Sequence, residues 1–287
     1  MSKLRAYLEL CKLRVVALIV FTAIVGMVLS LPPGELPLAP ILWGSIGIGL
    51  AAASAAAFNH YLDRQADAKM ARTRNRPLPK GELSPKQVLI FATLLAILSM
   101  GILATQVNRL TAVLTFLSLI GYAVVYTLYL KRATPQNIVI GGAAGAVPPI
   151  LGSCAVLGQV HPIAAILFMI IFLWTPPHFW ALAIARKEDY EKADIPMLPV
   201  THGVEFTGLQ LFLYTILLVV ATMIPPLVGA SGILYLTTAI LLGGIFLALS
   251  WRLKENPEDR RLAMRTFTFS ILYIALLFAA LLLDHLL

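Results

Sequence analysis

The stretch that decides the architecture is PILWGSIGIGLAAASAAAFNHYLDRQADAKMARTRNRPLP, residues 40–79. From Pro40 it runs for more than twenty residues without an Asp, Glu, Lys or Arg. A helix needs about 20 consecutive apolar residues to cross the hydrocarbon core of a bilayer, so this segment can span one. It then breaks into two aspartates and a burst of arginines, with an asparagine just ahead of them. A span that ends in its own cluster of acids and bases sets polar chemistry at one edge of a membrane.

The rest of the chain repeats the first half of that pattern. Of its 287 residues 59% are hydrophobic and only 13% charged, where a soluble domain carries about 25%. Apolar runs and their polar or Pro/Gly edges predict nine spans, near 15–31, 40–62, 84–105, 110–130, 136–157, 162–185, 206–228, 231–251 and 264–284. The preceding LRAYLELCKL is expected to lie amphipathically in the interface. Strand-like alternation at period two is absent, which leaves helices as the way to satisfy backbone groups in lipid. The expected fold is all-α, a polytopic membrane protein forming a single domain over 1–287. Two polar loops, 63–83 and 186–205, would cap one end. The first span lacks a signal-peptidase-like site and is expected to be retained; with no Arg- and Ser-rich transit segment ahead of it, a bacterial plasma (inner) membrane is favoured.

Charge gives the orientation. With a cytoplasmic N-terminus, 21 of the 22 Lys and Arg residues fall on the inner side and only Arg109 on the outer. The expected topology is therefore N-in, C-out. The net charge of +8 reads as this bias plus attraction to an anionic lipid surface, and makes no case for nucleic acid. Cys11 and Cys154 have neither CxxC nor ligand-like spacing and read as packing residues.

Asn59, Asp63 and Asp67 stand at i, i+4 and i+8, which on a helix spreads them over an arc of roughly 80°. Two carboxylates and an amide oxygen on one face are hard ligands suited to Mg²⁺, although a solvated helix end gives the same pattern. Like charges at i and i+4 repel, so a counter-ion is wanted. Lys69, Arg72, Arg74, Arg76 and Lys80 follow, and guanidinium forks hold phosphate oxygens in pairs. Acids for a metal and bases for the remaining oxygens describe a cradle for a magnesium diphosphate.

A second acid cluster lies in ARKEDYEKADIPMLP (185–199). Asp189 is assigned to the metal or the diphosphate. Asp194 stands about 140° further round an ideal helix and reaches the same ion only if the helix ends ahead of Pro196. A diphosphate bound by a chain buried in lipid implies an isoprenoid tail. Its allylic cation would be met by aromatic faces, for which Tyr122, Tyr126 and Tyr129 at i, i+4 and i+7 offer a stripe, with Tyr126 the catalytic candidate; plain bundle packing gives the same spacing. Gly141 and Gly145 form a GxxxG that permits close helix contact. His178, flanked by Trp174, Phe179 and Trp180, lies within a span, where an ionisable residue is functional by default. It is read as a ligand to haem iron, a contact to a propionate, or a bond to a neighbouring carbonyl.

NHYLD followed by RQAD, paired with a second acidic motif after the sixth span, resembles the UbiA superfamily of membrane prenyltransferases. The stretches DRQADAKMARTRNRPLP, YTLYLKRATPQNIVIGGAAGAVPP and WTPPHFWALAIARKEDYEKADIPMLPV are similar to its haem-farnesylating branch. The resemblance implies a helical bundle around a lipid-open central cavity capped by the two acidic loops. It implies Asn59, Asp63 and Asp67 as the first Mg²⁺-diphosphate motif, with Lys69, Arg72 and Arg76 as basic partners. Asp189 would anchor the second motif beside Tyr190, while Lys131, Arg132, Thr134 and Asn137 would reach the same diphosphate and His178 the haem. The superfamily usually spaces its second aspartates by four, where Ala193 stands here, and Asp194 falls outside that pattern. The implied reaction moves farnesyl from farnesyl diphosphate to a vinyl group of haem B, giving haem O, with Mg²⁺ as cofactor. The implied partners are the lipid bilayer and, downstream, a haem A synthase or terminal-oxidase assembly proteins. An aromatic or quinone-precursor acceptor, and a haem-binding or transport protein without catalysis, stay open as alternatives.

Overall fold

The computed structural model describes residues 3–287 and contains helices but no strand among them. The chain opens with α1 (Lys3–Leu10) and α2 (Leu13–Leu29), which meet at a 44° bend. α3 (Leu38–Leu62) and the short α4 (Arg64–Lys69) follow, then α5 (Pro85–Ile102), extended by π-helical turns to Val107. α6 (Arg109–Ile120) passes through a π-helical stretch, Gly121–Leu130, into α7 (Lys131–Ala133). α8 (Asn137–Ala146) and α9 (Pro148–Leu157) are joined at Val147, and α10 (Pro162–Ala185) leads into α11 (Lys187–Lys192) and α12 (Leu198–Thr201). The chain closes with α13 (Gly203–Ala221), α14 (Ile224–Leu227), α15 (Ile233–Glu255) and α16 (Arg260–Leu286). Eight of the resulting helical stretches are long and apolar enough to cross a bilayer, and the bent α1–α2 pair passes the same test when taken as one span. The protein is a multi-pass membrane protein.

Local chemistry sets the helix ends. Ser84 and Gln87 form a reciprocal capping box at the start of α5, with Pro85 in the first turn where its missing N–H costs nothing. Asn108 accepts from the Thr111 N–H to start α6, and Asp259 accepts from the N–H groups of Arg261 and Leu262 to start α16. The outward faces carry large aliphatics such as Leu94, Ile97, Val220 and Leu241, each more than half exposed. In lipid such exposure is neutral, so helix association rests on close packing rather than on expulsion of water. The largest buried apolar cluster joins α2, α10, α13, α15 and α16 through Tyr235, Phe246, Tyr273 and Phe278, all fully buried.

Backbone meets backbone where α2 crosses α9. A Cβ on Gly152 would sit 2.1 Å from the Ala23 carbonyl oxygen, and one on Gly26 would sit 2.4 Å from that of Pro149. The GxxxG of α8 is not such a crossing. Gly141 is pressed against the Tyr126 ring, while Gly145 faces open space.

Two departures from regular winding matter for the site. The π-helical stretch closes its turns by i→i+5 hydrogen bonds, so the wider turn carries position i+7 past the face shared by i and i+4. Tyr122 and Tyr126 stay together, with ring centroids 5.5 Å apart, whereas Tyr129 is 69% exposed. The expected three-tyrosine stripe is therefore a pair. At the α1–α2 bend, Lys12 adopts the left-handed conformation (φ 48°), which is costly for a residue with a Cβ.

The basic segments converge on one end of the bundle. Lys131 after α6 reaches Asp63 at the end of α3, Lys69 reaches Asp194 after α11, and Arg260 of α16 reaches Glu188 of α11. The opposite end is held by uncharged or single-acid caps: Asn108 donates to the Cys154 carbonyl at 2.8 Å, and Asp284 accepts from the N–H of Gly232.

The glycine crossings allow a paired test. Gly152→Ala should lower the melting temperature in detergent, because overpacking against backbone costs about 1–3 kcal/mol. Gly145→Ala should leave it unchanged or raise it slightly, since a helical Gly gives up about 0.5–1 kcal/mol relative to Ala. Equal effects at the two positions would contradict the close crossing.

Candidate active site

The site begins with helical register kept across a break. α3 ends at Asp63, yet the Asp63 N–H still bonds the Asn59 carbonyl (2.9 Å) and the Asp67 N–H the Asp63 carbonyl (2.8 Å). Asn59, Asp63 and Asp67 therefore remain stacked on one face, with only 5%, 2% and 4% of their surfaces exposed. Buried carboxylates one turn apart require compensating charge, and other segments supply it. Lys131 donates to Asp63 Oδ2 at 2.5 Å and Arg76 to Asp67 Oδ2 at 2.7 Å. Asn59 bridges the cluster, its amide nitrogen donating to Asp63 Oδ2 and its amide oxygen accepting from Lys12 Nζ, both at 2.8 Å.

Lys12 was not legible as a site residue. In the sequence it is one of several basic residues near the N-terminus, and only the left-handed bend turns its side chain into the acid cluster. Thr73, also buried, was missed as well; its hydroxyl donates to the Asp67 carbonyl at 3.0 Å and ties the arginine-rich loop to α4.

The second acidic motif arrives by apolar docking. Ala66 and Met70, from α4 and its C-terminal edge, pack against Tyr190, Ala193, Ile195 and Met197. This contact sets Tyr190 and Asp189 beside the first motif. Burial pushes the Tyr190 phenol above its usual range, while Arg72 and Arg76 pull it back down, and Asp189 and Asp63 act on the same group. Asp189 is 9% exposed. Asp194 goes elsewhere: it is left-handed (φ 55°), its side chain is 83% exposed, and it pairs with Lys69 at 3.0 Å across the two loops. Arg72 and Arg132 lie at the exposed edge of the cluster. Asn137 is buried, its amide nitrogen donating to the Thr134 carbonyl at 2.7 Å. Tyr122 and Tyr126 lie within electrostatic range of Asp63, and Tyr126 also of Tyr190.

The donor set can be tested against a metal. Asp63 Oδ1, Asp189 Oδ2 and Asn137 Oδ1 are sealed from solvent with no hydrogen-bond partner, an excess of acceptors that calls for a cation or further donors. Among the described residues, no three of His, Cys, Asp and Glu converge on one point. That excludes an all-protein cage but suits Mg²⁺, which takes one or two carboxylates and completes its shell with substrate phosphate and water.

His178 lies apart from this cluster, in the α10–α16 interface. Its ring stacks on Trp174 at 4.2 Å and on Phe267 at 4.6 Å, and its Nδ1 lies 2.6 Å from Ser270 Oγ.

The Lys131–Asp63 pair gives a quantitative expectation. Lys131→Met strands a buried carboxylate and should cost about 3–5 kcal/mol, read as a large drop in melting temperature. Adding Asp63→Asn should recover much of it. If the double variant melts no higher than Lys131→Met alone, the pair does not hold this end together.

Residues 19–283 match the UbiA prenyltransferase family. The chain is 63% identical over 281 residues to the protoheme IX farnesyltransferase of Methylococcus capsulatus, covering 98% of this chain and 94% of that one. It is 59% identical to the protoheme IX farnesyltransferase of Alkalilimnicola ehrlichii, covering 98% and 92%. Among solved structures, a digeranylgeranylglyceryl phosphate synthase superposes with a TM-score of 0.81 at 20% identity, over 100% and 99% of the two chains. A UbiA homologue from Archaeoglobus fulgidus bound to GPP and Mg²⁺ superposes with a TM-score of 0.66, also at 20% identity, over 96% and 99%. The chain belongs to the UbiA prenyltransferase family, and its buried acid–base cluster stands at one end of that family's helical bundle.

Proposed function

We propose that this protein transfers the farnesyl group of farnesyl diphosphate to a vinyl group of haem B, producing haem O, at the cytoplasmic side of a bacterial inner membrane. The reading rests on one observation above the others. A buried cluster pairs Asp63 with Lys131, Asp67 with Arg76 and Asn59 with Lys12, in a chain 63% identical to a protoheme IX farnesyltransferase. The A. fulgidus homologue with GPP and Mg²⁺ supports a metal-bound prenyl diphosphate in the same fold.

Asp63 and Asp189, each with a free buried oxygen, would hold Mg²⁺, while Asp67 fixes Arg76 beside them. When bound, the ion neutralises charge that develops on diphosphate as the bond to carbon breaks. Arg76, Lys131 and Lys12 hold the remaining phosphate oxygens, with Lys69, Arg72 and Arg132 drawing the anion in from the exposed edge. Asn59, Asn137 and Tyr190 orient that layer. Asp194, paired with Lys69, joins the two cap loops and serves the metal only from outside the buried set.

The C1–O bond of the donor breaks and its electron pair leaves with diphosphate. The allylic cation passes the Tyr126 face, where the ring quadrupole stabilises positive charge by about 1–2 kcal/mol. The vinyl π-pair of haem closes the new carbon–carbon bond, water adds to the cation left on the porphyrin side, and one proton is lost. His178 holds the porphyrin.

Detergent-solubilised protein given haem B, farnesyl diphosphate and Mg²⁺ should form a product with the mass of hydroxyethylfarnesyl haem, and EDTA should abolish turnover. Asp63→Asn and Asp189→Asn should each lower kcat by about 100-fold or more, the scale for losing one preorganised charge-stabilising group. Farnesylation of a phenolic acceptor with none of haem, or turnover indifferent to EDTA, would refute the reading.

A further inference from the structure

The hydrogen bonds around His178 determine which ring nitrogen carries the proton. Trp174 stacks on the imidazole at an interplanar angle of 17° and Phe267 at 24°, so the ring is left its edges for polar contacts. Along one edge Nδ1 lies 2.6 Å from Ser270 Oγ, and that hydroxyl also lies 2.6 Å from the Phe267 carbonyl oxygen. A serine hydroxyl has one proton and a carbonyl has none. Two oxygens at that distance need a proton between them, so the serine donates to Phe267. Nδ1 must then carry its own hydrogen and donate it to the serine lone pair. Nε2 is left as a bare lone pair with no hydrogen bond in the protein. The Ser270 carbonyl meanwhile accepts from Trp174 Nε1 at 2.8 Å, so one residue fixes both the imidazole and the ring stacked on it.

This arrangement separates the roles open to His178. The Ser270 contact shows that it is not bonded to a neighbouring carbonyl through Nδ1. A propionate requires an N–H, and in this tautomer the free nitrogen has none. A metal requires a lone pair, and histidines that ligate metals anchor the opposite N–H on a protein acceptor. Nε2 of His178 is unpaired yet, unlike the ring nitrogens of His60, is not sealed off by the protein, which leaves it open to a partner that arrives with the substrate.

We propose that Ser270 is a positioning residue, holding His178 as the Nδ1–H tautomer so that its Nε2 coordinates the iron of the metalloporphyrin acceptor. The inference rests on the haem reading given under Proposed function, and its test separates the two. Protein labelled with ¹⁵N-histidine, with His178 assigned by difference from His178→Gln, should show a protonated Nδ1 and an unprotonated Nε2 before any haem is added. A protonated Nε2 overturns the proposal and leaves the haem reading untouched. Titration with ferric haem should give the Soret and EPR signature of a nitrogen-ligated iron, absent in His178→Gln. Ser270→Ala should weaken haem binding about 10-fold or more, the scale for losing an outer-shell partner, and Ser270→Thr should restore it. Haem bound equally well by wild type, Ser270→Ala and His178→Gln overturns the proposal alone. Wild-type protein that binds no haem at all overturns the acceptor assignment with it.

Discussion

The structure is organised by a demand that lipid imposes: carboxylates drawn into the end of a membrane bundle must be neutralised by groups brought from other helices. Asp63 and Asp67 are carried in by α3 and α4, and neither finds its cation within its own helix. Asp63 takes Lys131 from α7, and Asp67 takes Arg76 from the loop beyond α4. Lys12, from the bend before α2, completes the chain through Asn59. Segments well separated in sequence are thereby tied to one point, and the left-handed backbone at Lys12 is tolerated because its amine has that partner. Neutralisation is incomplete, since buried oxygens of Asp63 and Asp189 still lack a donor. On the proposed reading, the acceptor atoms left over would meet a cation that arrives with its own phosphate ligands.

Packing then divides the molecule into a polar end and an aromatic interior. Ala66 and Met70 press α4 onto Tyr190 and Ile195, an apolar contact whose effect is electrostatic, because it brings Tyr190 within range of Arg72, Arg76 and Asp63. Deeper in the bundle Trp174, His178 and Phe267 form a stack braced by Ser270. α10 links the two regions, with His178 on its wall and Asp189 just past its end. A donor with a charged head and a greasy tail would put its head among the acids and its reactive carbon nearer the aromatics.

Much of this was readable beforehand, for physical reasons. The spans follow from hydropathy because no other regular structure except a closed barrel satisfies its backbone in lipid. The Asn59–Asp63–Asp67 face follows from helical period, and it survived the break at Asp63 because the i→i+4 bonds persist there. What was hidden depends on local winding or on distant partners. Tyr129 leaves the tyrosine face because the segment winds as a π-helix, which no residue pattern signalled. Gly141 reads as a helix crossing but receives a tyrosine ring, while the true crossing at Gly26 and Gly152 bears no GxxxG. Lys12 needed the bend, and Ser270 stands 92 residues from its histidine, with nothing around it to mark it.

Manganese EPR of the purified protein offers the most direct check on the acid cradle. Because no three acids converge on one point, Mn²⁺ should bind weakly alone and tightly once farnesyl thiodiphosphate is added, with ³¹P hyperfine coupling from phosphate oxygens on the metal. That coupled signal should vanish in Asp63→Asn. Tight Mn²⁺ binding without the diphosphate, or a donor complex whose metal shows no ³¹P coupling, would contradict a shared protein–diphosphate site.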